Sequence, residues 1–337
     1  MICYTDSKPK YVPTSSQSLI KISIENFSSF NRVVGKVSEQ EKEEILRHKS
    51  ERFNDQSFMD LAGKEREKTQ EELLILTLVN DATNTLLHTY GLPSFDIPPQ
   101  NIHVIRESQW PTNRGTGFYN AMIQAVAMRE ESARLVFMNK SIHEILHFKS
   151  YGALQITTED DPQEHEYRLG LTVTKRDGSQ ILFRNLNEAV TEELTKRVFF
   201  TLSSNPIFSA ETQQTSQLAR KEKGALSIDG EPLFDNETYY GEIESLSEGR
   251  ARVNTQSFTK KQERRILNTL LRKLQERSQG KFKDQEGLFE LFASSMLTGN
   301  IMTLGKLIDR TFGKGTFKKI GELDDEIDEQ EAYVNSL

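Results

Sequence analysis

The chain has 337 residues, 36% of them apolar and 28% charged, a globular composition long enough for one large domain or two of ordinary size. A net charge of −7 excludes nucleic-acid binding by overall charge, which relies on Lys and Arg neutralising phosphates, and leaves only local basic stripes open. Cys3 is the single cysteine, so an internal disulfide framework and Cys-rich zinc fingers are excluded, and any metal must be held by His and carboxylates.

The opening residues lack a basic stretch followed by a long apolar run, and no window has the length needed to span a bilayer. We therefore expect a cytoplasmic protein with no membrane segment. Residues 1–62 read as an N-terminal arm, mixed in Ser, Pro and Lys, with one alternating run, LIKISIENF, followed by a charged helix, EQEKEEILRHKSERF, that Ser38 can cap. A second helix begins near Gly63 and runs through EELLILTLVNDATNTLLHTY until Gly91 and Pro93 stop it; its dense leucines mark it as a core helix. Pro98 and Pro99 introduce NIHVI, and GFYNAMIQAVAMR follows, both with strand character. The stretch EESARLVFMNKSIHEILHFKS, free of Gly and Pro, predicts a helix with Ser132 near its start. GALQITTED, YRLGLTVTKR and SQILFRN, with RDGS as a turn, predict a small antiparallel insertion, and LNEAVTEELTKRVFFTL resumes helix with acids early and bases late, as the helix dipole favours.

Residues 206–256 are rich in Ser, Thr, Gln, Gly and acids, and are expected to connect with little regular structure. Thr259 and Gln262 resemble a capping box for a helix with an apolar stripe of Ile266, Leu267, Leu270, Leu271 and Leu274. Two more helices, DQEGLFELFASSMLTGN and MTLGKLIDRTFGKG, end at Gly299 and Gly313, and the acidic residues 324–337 are expected to be disordered. The organisation is thus an arm, an α+β lobe over 63–205, a connector, a mainly helical lobe over 257–323 and a tail.

The chemistry concentrates in SIHEILHFKS. His143 and His147 are four apart on a predicted helix, so both imidazoles can face one point, and neutral imidazole is a good zinc ligand. Glu144 beside the first histidine is placed to take a proton from a water held there. A third ligand is needed. The continuation His-x-x-Gly-x-x-His is absent, since Ser150 and Ala153 stand at its Gly and His positions. A glutamate on a later helix remains, and NEAVTEE offers Glu188, with Glu192 and Glu193 as alternatives.

The pair of motifs, HEILH followed by NEAVTEE, resembles the gluzincin metallopeptidases, over about residues 65–205. The resemblance implies a zincin-like catalytic lobe, with a mixed sheet and two metal-binding helices. It implies Glu188 as third zinc ligand, Asn187 as the residue that precedes it in the family, and Glu192 as the carboxylate orienting His143. The interval from His147 to Glu188 is about twice the roughly twenty residues of the better known members, and it coincides with the predicted strands of 153–184.

The resemblance further implies hydrolysis of a polypeptide, with a zinc ion polarising the scissile carbonyl and Glu144 acting as base. An oxyanion donor is expected after the second metal helix, where Tyr239 and Tyr240 stand, and GFYNAMIQAVAMR is either an internal strand or one that pairs with substrate. His165 reads as a surface loop residue. A second class of function is a non-catalytic interaction protein, zincin-like or helical, whose basic segment TKKQERRILNTLLRKLQER binds a partner; as an ordinary solvated helix face, that segment needs no partner.

Overall fold

Capping residues and apolar stripes set most of the element boundaries. The computed structural model describes residues 30–54, 63–111, 115–157, 163–226, 232–245, 251–278 and 282–337; most of the expected N-terminal arm lies outside them. Strand β1 (Arg32–Val34) leads into α1 (Glu39–Asn54), where the Ser38 hydroxyl accepts from the Glu41 amide and the Glu41 carboxylate accepts from the Ser38 amide. Helix α2 (Gln70–Thr89) starts later than Gly63 because Thr69 and Glu72 form a full capping box, and Glu65 instead bridges to the strand residue Ile105. Next come β2 (Ile102–Ile105), β3 (Gly117–Asn120) and β4 (Ala125–Arg129), a three-stranded sheet in which β4 is central, parallel to β2 and antiparallel to β3.

Helix α3 (Arg134–Lys149) follows β4 directly. The antiparallel insertion is a meander of β5 (Gly152–Ile156), β6 (Glu164–Leu169), β7 (Thr172–Thr174) and β8 (Ile181–Leu182), extended to five strands by β1, which adds parallel to β5. Phe183, in a left-handed conformation at φ 63°, turns the chain into α4 (Arg184–Ser203). Apolar residues of α3 (Ile142, Ile145, Leu146) and α4 (Leu186, Ala189, Val190) are buried in one core with β2, β4 and α2.

The connector is more ordered than its polarity suggests, with α5 (Ser209–Lys221) and a hairpin of β9 (Thr238–Ser245) and β10 (Ala251–Ser257). Its apolar signal is weak because α5 buries chiefly Leu218, and Gly241 of β9 packs against that residue and Phe234. The remainder is helical: α6 (Lys261–Arg277), α7 (Gln285–Thr298), α8 (Ile301–Phe312), α9 (Thr316–Glu322) and α10 (Ile327–Ser336). The protein is therefore α+β, with mixed sheets and helices first and a mainly helical C-terminal region. Among the described residues no helix is long and apolar enough to cross a membrane.

The acidic C-terminus is a correction to the sequence reading. Its residues form α10, which packs on α6: Gln262 donates to Asp328 and Glu331, Arg265 pairs with Glu331, and Lys273 donates to the carbonyl of Asn335. The acidic tail is thus seated on α6, with Arg265 paired to Glu331, an association that composition alone does not reveal. Inside, Val334 and Gln330 are buried, and the Gln330 amide donates to the carbonyl of Ile320.

One buried cation stands out. Lys149, 4% exposed, donates to the Asn80 carbonyl, the Thr83 hydroxyl and Asn84 Oδ1, and lies over the Phe95 ring. Burial pushes its amine down to about 7 against the pull of Asp96 and Asp81. An unfolded chain keeps that amine protonated up to about 10.4, so between these limits the unfolded state binds more protons and stability rises with pH. Lys149→Met should remove this dependence. In urea unfolding from about pH 7 to about pH 9, the parent is expected to gain on the variant by up to ~1.4 kcal/mol per pH unit, and parallel curves would contradict it.

Candidate metal centre

Helical spacing brings the two histidines of α3 to one point, with their Nε2 atoms 3.1 Å apart. Glu188 of α4 reaches the same point, its Oε1 3.4 Å from His147 Nε2 and its Oε2 3.6 Å from His143 Nε2. These three side chains form a group whose ligand atoms all lie within 4.8 Å of one another and which can hold a metal ion. The alternatives for the third position have other partners: Glu192 faces the far side of His143, and Glu193 pairs with Arg264. Residue numbers rise along α3 from Glu192's partner His143 to Asn187's neighbour His147, so the two helices run in opposite senses past the site.

Glu192 does for His143 what an orienting carboxylate must. Its Oε2 lies 2.7 Å from Nδ1, and its Oε1 accepts from the Thr259 amide and hydroxyl, at 2.6 and 3.1 Å. Burial alone would raise the Glu192 pKa, but His143 and Thr259 together hold it below the ordinary value. As an ionised acceptor it requires a proton of His143 on Nδ1, which leaves Nε2 to face Glu188 and His147. Burial opposes a charge on His143, yet the neighbouring carboxylates of Glu188 and Glu192 prevail and raise its pKa well above the usual histidine value. Metal uptake therefore has a proton to displace. Glu188 is held well below the carboxylate range: burial opposes this, and the two histidines outweigh it.

Asn187 ties the insertion to α4. Its Oδ1 accepts from the Leu171 amide at 2.8 Å, which leaves its Nδ2 facing His147 Nδ1 at 3.5 Å, too long for a firm bond. Gly170, at φ 58°, permits this approach, since a Cβ there would collide with Asn187 Oδ1.

Glu144 is 7% exposed, and burial raises its pKa, with His143 and His147 opposing. Gly117 of β3 passes directly over it: a Cβ on Gly117 would stand 2.9 Å from Glu144 Oε1. Of the stretch GFYNAMIQAVAMR, β4 is thus the internal strand, and β3 is the end strand of its sheet, adjacent to Glu144.

Four residues named in the sequence, and one that was not singled out there, complete the picture. Thr259 does not cap α6; it serves Glu192, and Lys260 takes the N-cap position at φ 56° with its Nζ 3.0 Å from Glu188 Oε2. The Tyr240 hydroxyl, considered as an oxyanion donor, donates to Glu242 at 2.6 Å, while the Tyr239 ring packs against Phe199 and Phe258. His165 is exposed, on strand β6. Nothing in the local sequence marked Lys260; the one available signal was its place directly before an amphipathic helix.

No protein-family model, curated protein or solved structure matches the chain. What the site can do is therefore read from its own groups: two imidazoles and a carboxylate aimed at one point, with a second carboxylate beside them.

Loss of an orienting carboxylate typically weakens a metal site about 10–100-fold. Glu192→Gln is expected to lower the affinity for divalent zinc or cobalt by that margin in a chelator-competition titration; an affinity equal to the parent's would show that Glu192 does not orient His143.

Proposed function

We propose that the chain is a zinc-dependent peptidase of gluzincin type, acting on polypeptides. The observation that carries this reading is the meeting of His143, His147 and Glu188 with Glu144 alongside.

The donor set suits zinc, which takes imidazole nitrogen and carboxylate oxygen in tetrahedral sites. With bonds of about 2.0–2.1 Å, a tetrahedral zinc places neighbouring ligand atoms about 3.3 Å apart. The two Nε2 atoms, 3.1 Å apart, come close to that value, and each ring has its own Glu188 oxygen at 3.4 or 3.6 Å. Three protein ligands leave a position for water, the pattern of catalytic rather than structural zinc. Bound there, the ion would supply Lewis acidity toward a carbonyl oxygen and acidify water.

The chain's own residues supply the rest. Glu144, buried against Gly117, accepts a proton from the attacking water and delivers it to the departing amine nitrogen. Its burial favours this exchange, because a carboxylate in a dry setting takes up a proton more readily than one in water. Strand β3, at the end of its sheet and next to Glu144, offers backbone groups with which an extended peptide can pair. A site kept only for structure, as in the non-catalytic alternative, has no use for a carboxylate at Glu144.

Two substitutions separate binding from turnover. Glu144→Gln is expected to retain zinc and to lose about 10²–10⁴-fold in kcat, the usual share of a general base. Glu188→Ala is expected to lose the zinc itself. Metal content by elemental analysis and cleavage of a quenched fluorescent peptide library, with and without chelator, are the measurements. Unimpaired hydrolysis by Glu144→Gln would refute the mechanism.

A further inference from the structure

The Tyr240 hydroxyl is engaged by Glu242, and the charge that develops on a substrate carbonyl has as yet no assigned partner. Lys260 stands at the right place. Its Nζ is 3.0 Å from Glu188 Oε2, beside the point on which the three ligand atoms converge, and its charge also bears on Glu144. The side chain is 37% exposed, intermediate between surface and core.

The backbone adds a second observation. Lys260 occupies the left-handed region at φ 56°, ψ 38°, a strained conformation that a non-glycine residue keeps when its surroundings demand it. They do so here: the Thr259 amide and hydroxyl are fastened to Glu192, and the Lys260 carbonyl already accepts from the Arg264 amide of α6. Between those two anchors the left-handed turn directs the lysine to the carboxylates of α4. A plain surface ion pair requires no such turn.

Charge supplies a third. The carboxylates of Glu144, Glu188 and Glu192 exceed a bound dication by one negative charge, and Lys260 offsets it. During addition the negative charge moves from Glu144, which takes up the water proton, to the carbonyl oxygen, and a cation already in place needs no reorganisation to meet it there.

We propose that Lys260 is a catalytic residue of this site, its ammonium lying where the oxygen of the scissile carbonyl gains negative charge. This rests on the peptidase reading. In the addition step, water oxygen bonds to the carbonyl carbon, the water proton passes to Glu144, and the carbonyl π pair moves onto oxygen opposite Lys260. In the collapse, that pair re-forms the carbonyl, the carbon–nitrogen bond breaks, and the proton on Glu144 goes to the amine. Lys260 keeps its own proton throughout.

The test uses the full-length chain. Lys260→Asn removes the charge while suiting the left-handed backbone, and Lys260→Arg keeps the charge. Loss of one such donor typically lowers kcat about 10²–10³-fold, and that loss is expected for Lys260→Asn on the quenched fluorescent peptide library, with KM and the zinc dissociation constant within about threefold of the parent. Lys260→Arg is expected to recover a large part of kcat. Full turnover by Lys260→Asn would overturn the assignment, as would a loss of zinc affinity that accounts for the lost turnover. A parent that binds zinc and leaves the library intact would instead overturn the peptidase reading, and this assignment with it.

Discussion

The buried pair of His143 and Glu192 is the interaction on which the site depends. Helical periodicity places His143 over His147 and Glu188 near Glu192 within each helix, but it says nothing about the relative height of the two helices. The 2.7 Å contact between His143 Nδ1 and Glu192 sets that height, and with the helices in opposite senses Glu188 then falls between the two rings. A charged group as deeply buried as Glu192, at 1% exposure, is tolerable because each oxygen is satisfied, one by His143 and the other by Thr259. Breaking such a pair by removing one partner typically costs about 3–5 kcal/mol, far more than leaving it intact contributes. The arrangement therefore acts more as a specification of register than as a source of stability.

Much of this was legible in the sequence, and the division between what was and what was not has a physical cause. Spacing within one helix is local information, so the facing of His143 with His147 and of Glu188 with Glu192 followed from numbering alone. The α+β character and the main helices followed from apolar period and caps. The choice among Glu188, Glu192 and Glu193 needed the helix pairing, which assigns one to the rings' meeting point, one to His143 Nδ1 and one to Arg264. The place of Lys260 beside Glu188 was beyond reach because it arises from a left-handed turn next to Thr259, which a glutamate of another helix clasps. Gly117 was hidden for a related reason: what matters is its lack of a side chain over Glu144, and a glycine at the start of a strand carries no such label.

Packing between two segments far apart in sequence explains the largest departure. An acidic stretch and a basic helix, read apart, suggest a disordered tail and a solvated or partner-binding face. Placed together as α10 and α6 they meet through the Arg265–Glu331 pair and the Gln262 amide, and the apolar residues that composition undercounts, such as buried Val334, help to seat the helix. The segment between α9 and α10 reaches further. Asp324, 2% exposed, accepts from the amides of Arg184 and Asn185 at 2.7 and 2.9 Å and so caps α4, whose own N-cap residue, Phe183, has no side-chain oxygen to offer.

That cap gives the C-terminal region a part in the geometry of the site. The start of α4 is held by Asp324 and by the stacking of Phe183 on Phe317, and the meander before it is held by Arg168, which donates to the Gly170 carbonyl and to those of Ser295 and Gly299 at the end of α7. Gly170 and Leu171 in turn meet Asn187, next to Glu188. The long interval between α3 and α4 is therefore more than a spacer. It is clamped at the turn after β6 by the helical region and passes that constraint to Asn187, the residue beside Glu188, while His143 and His147 sit on a helix packed into the core.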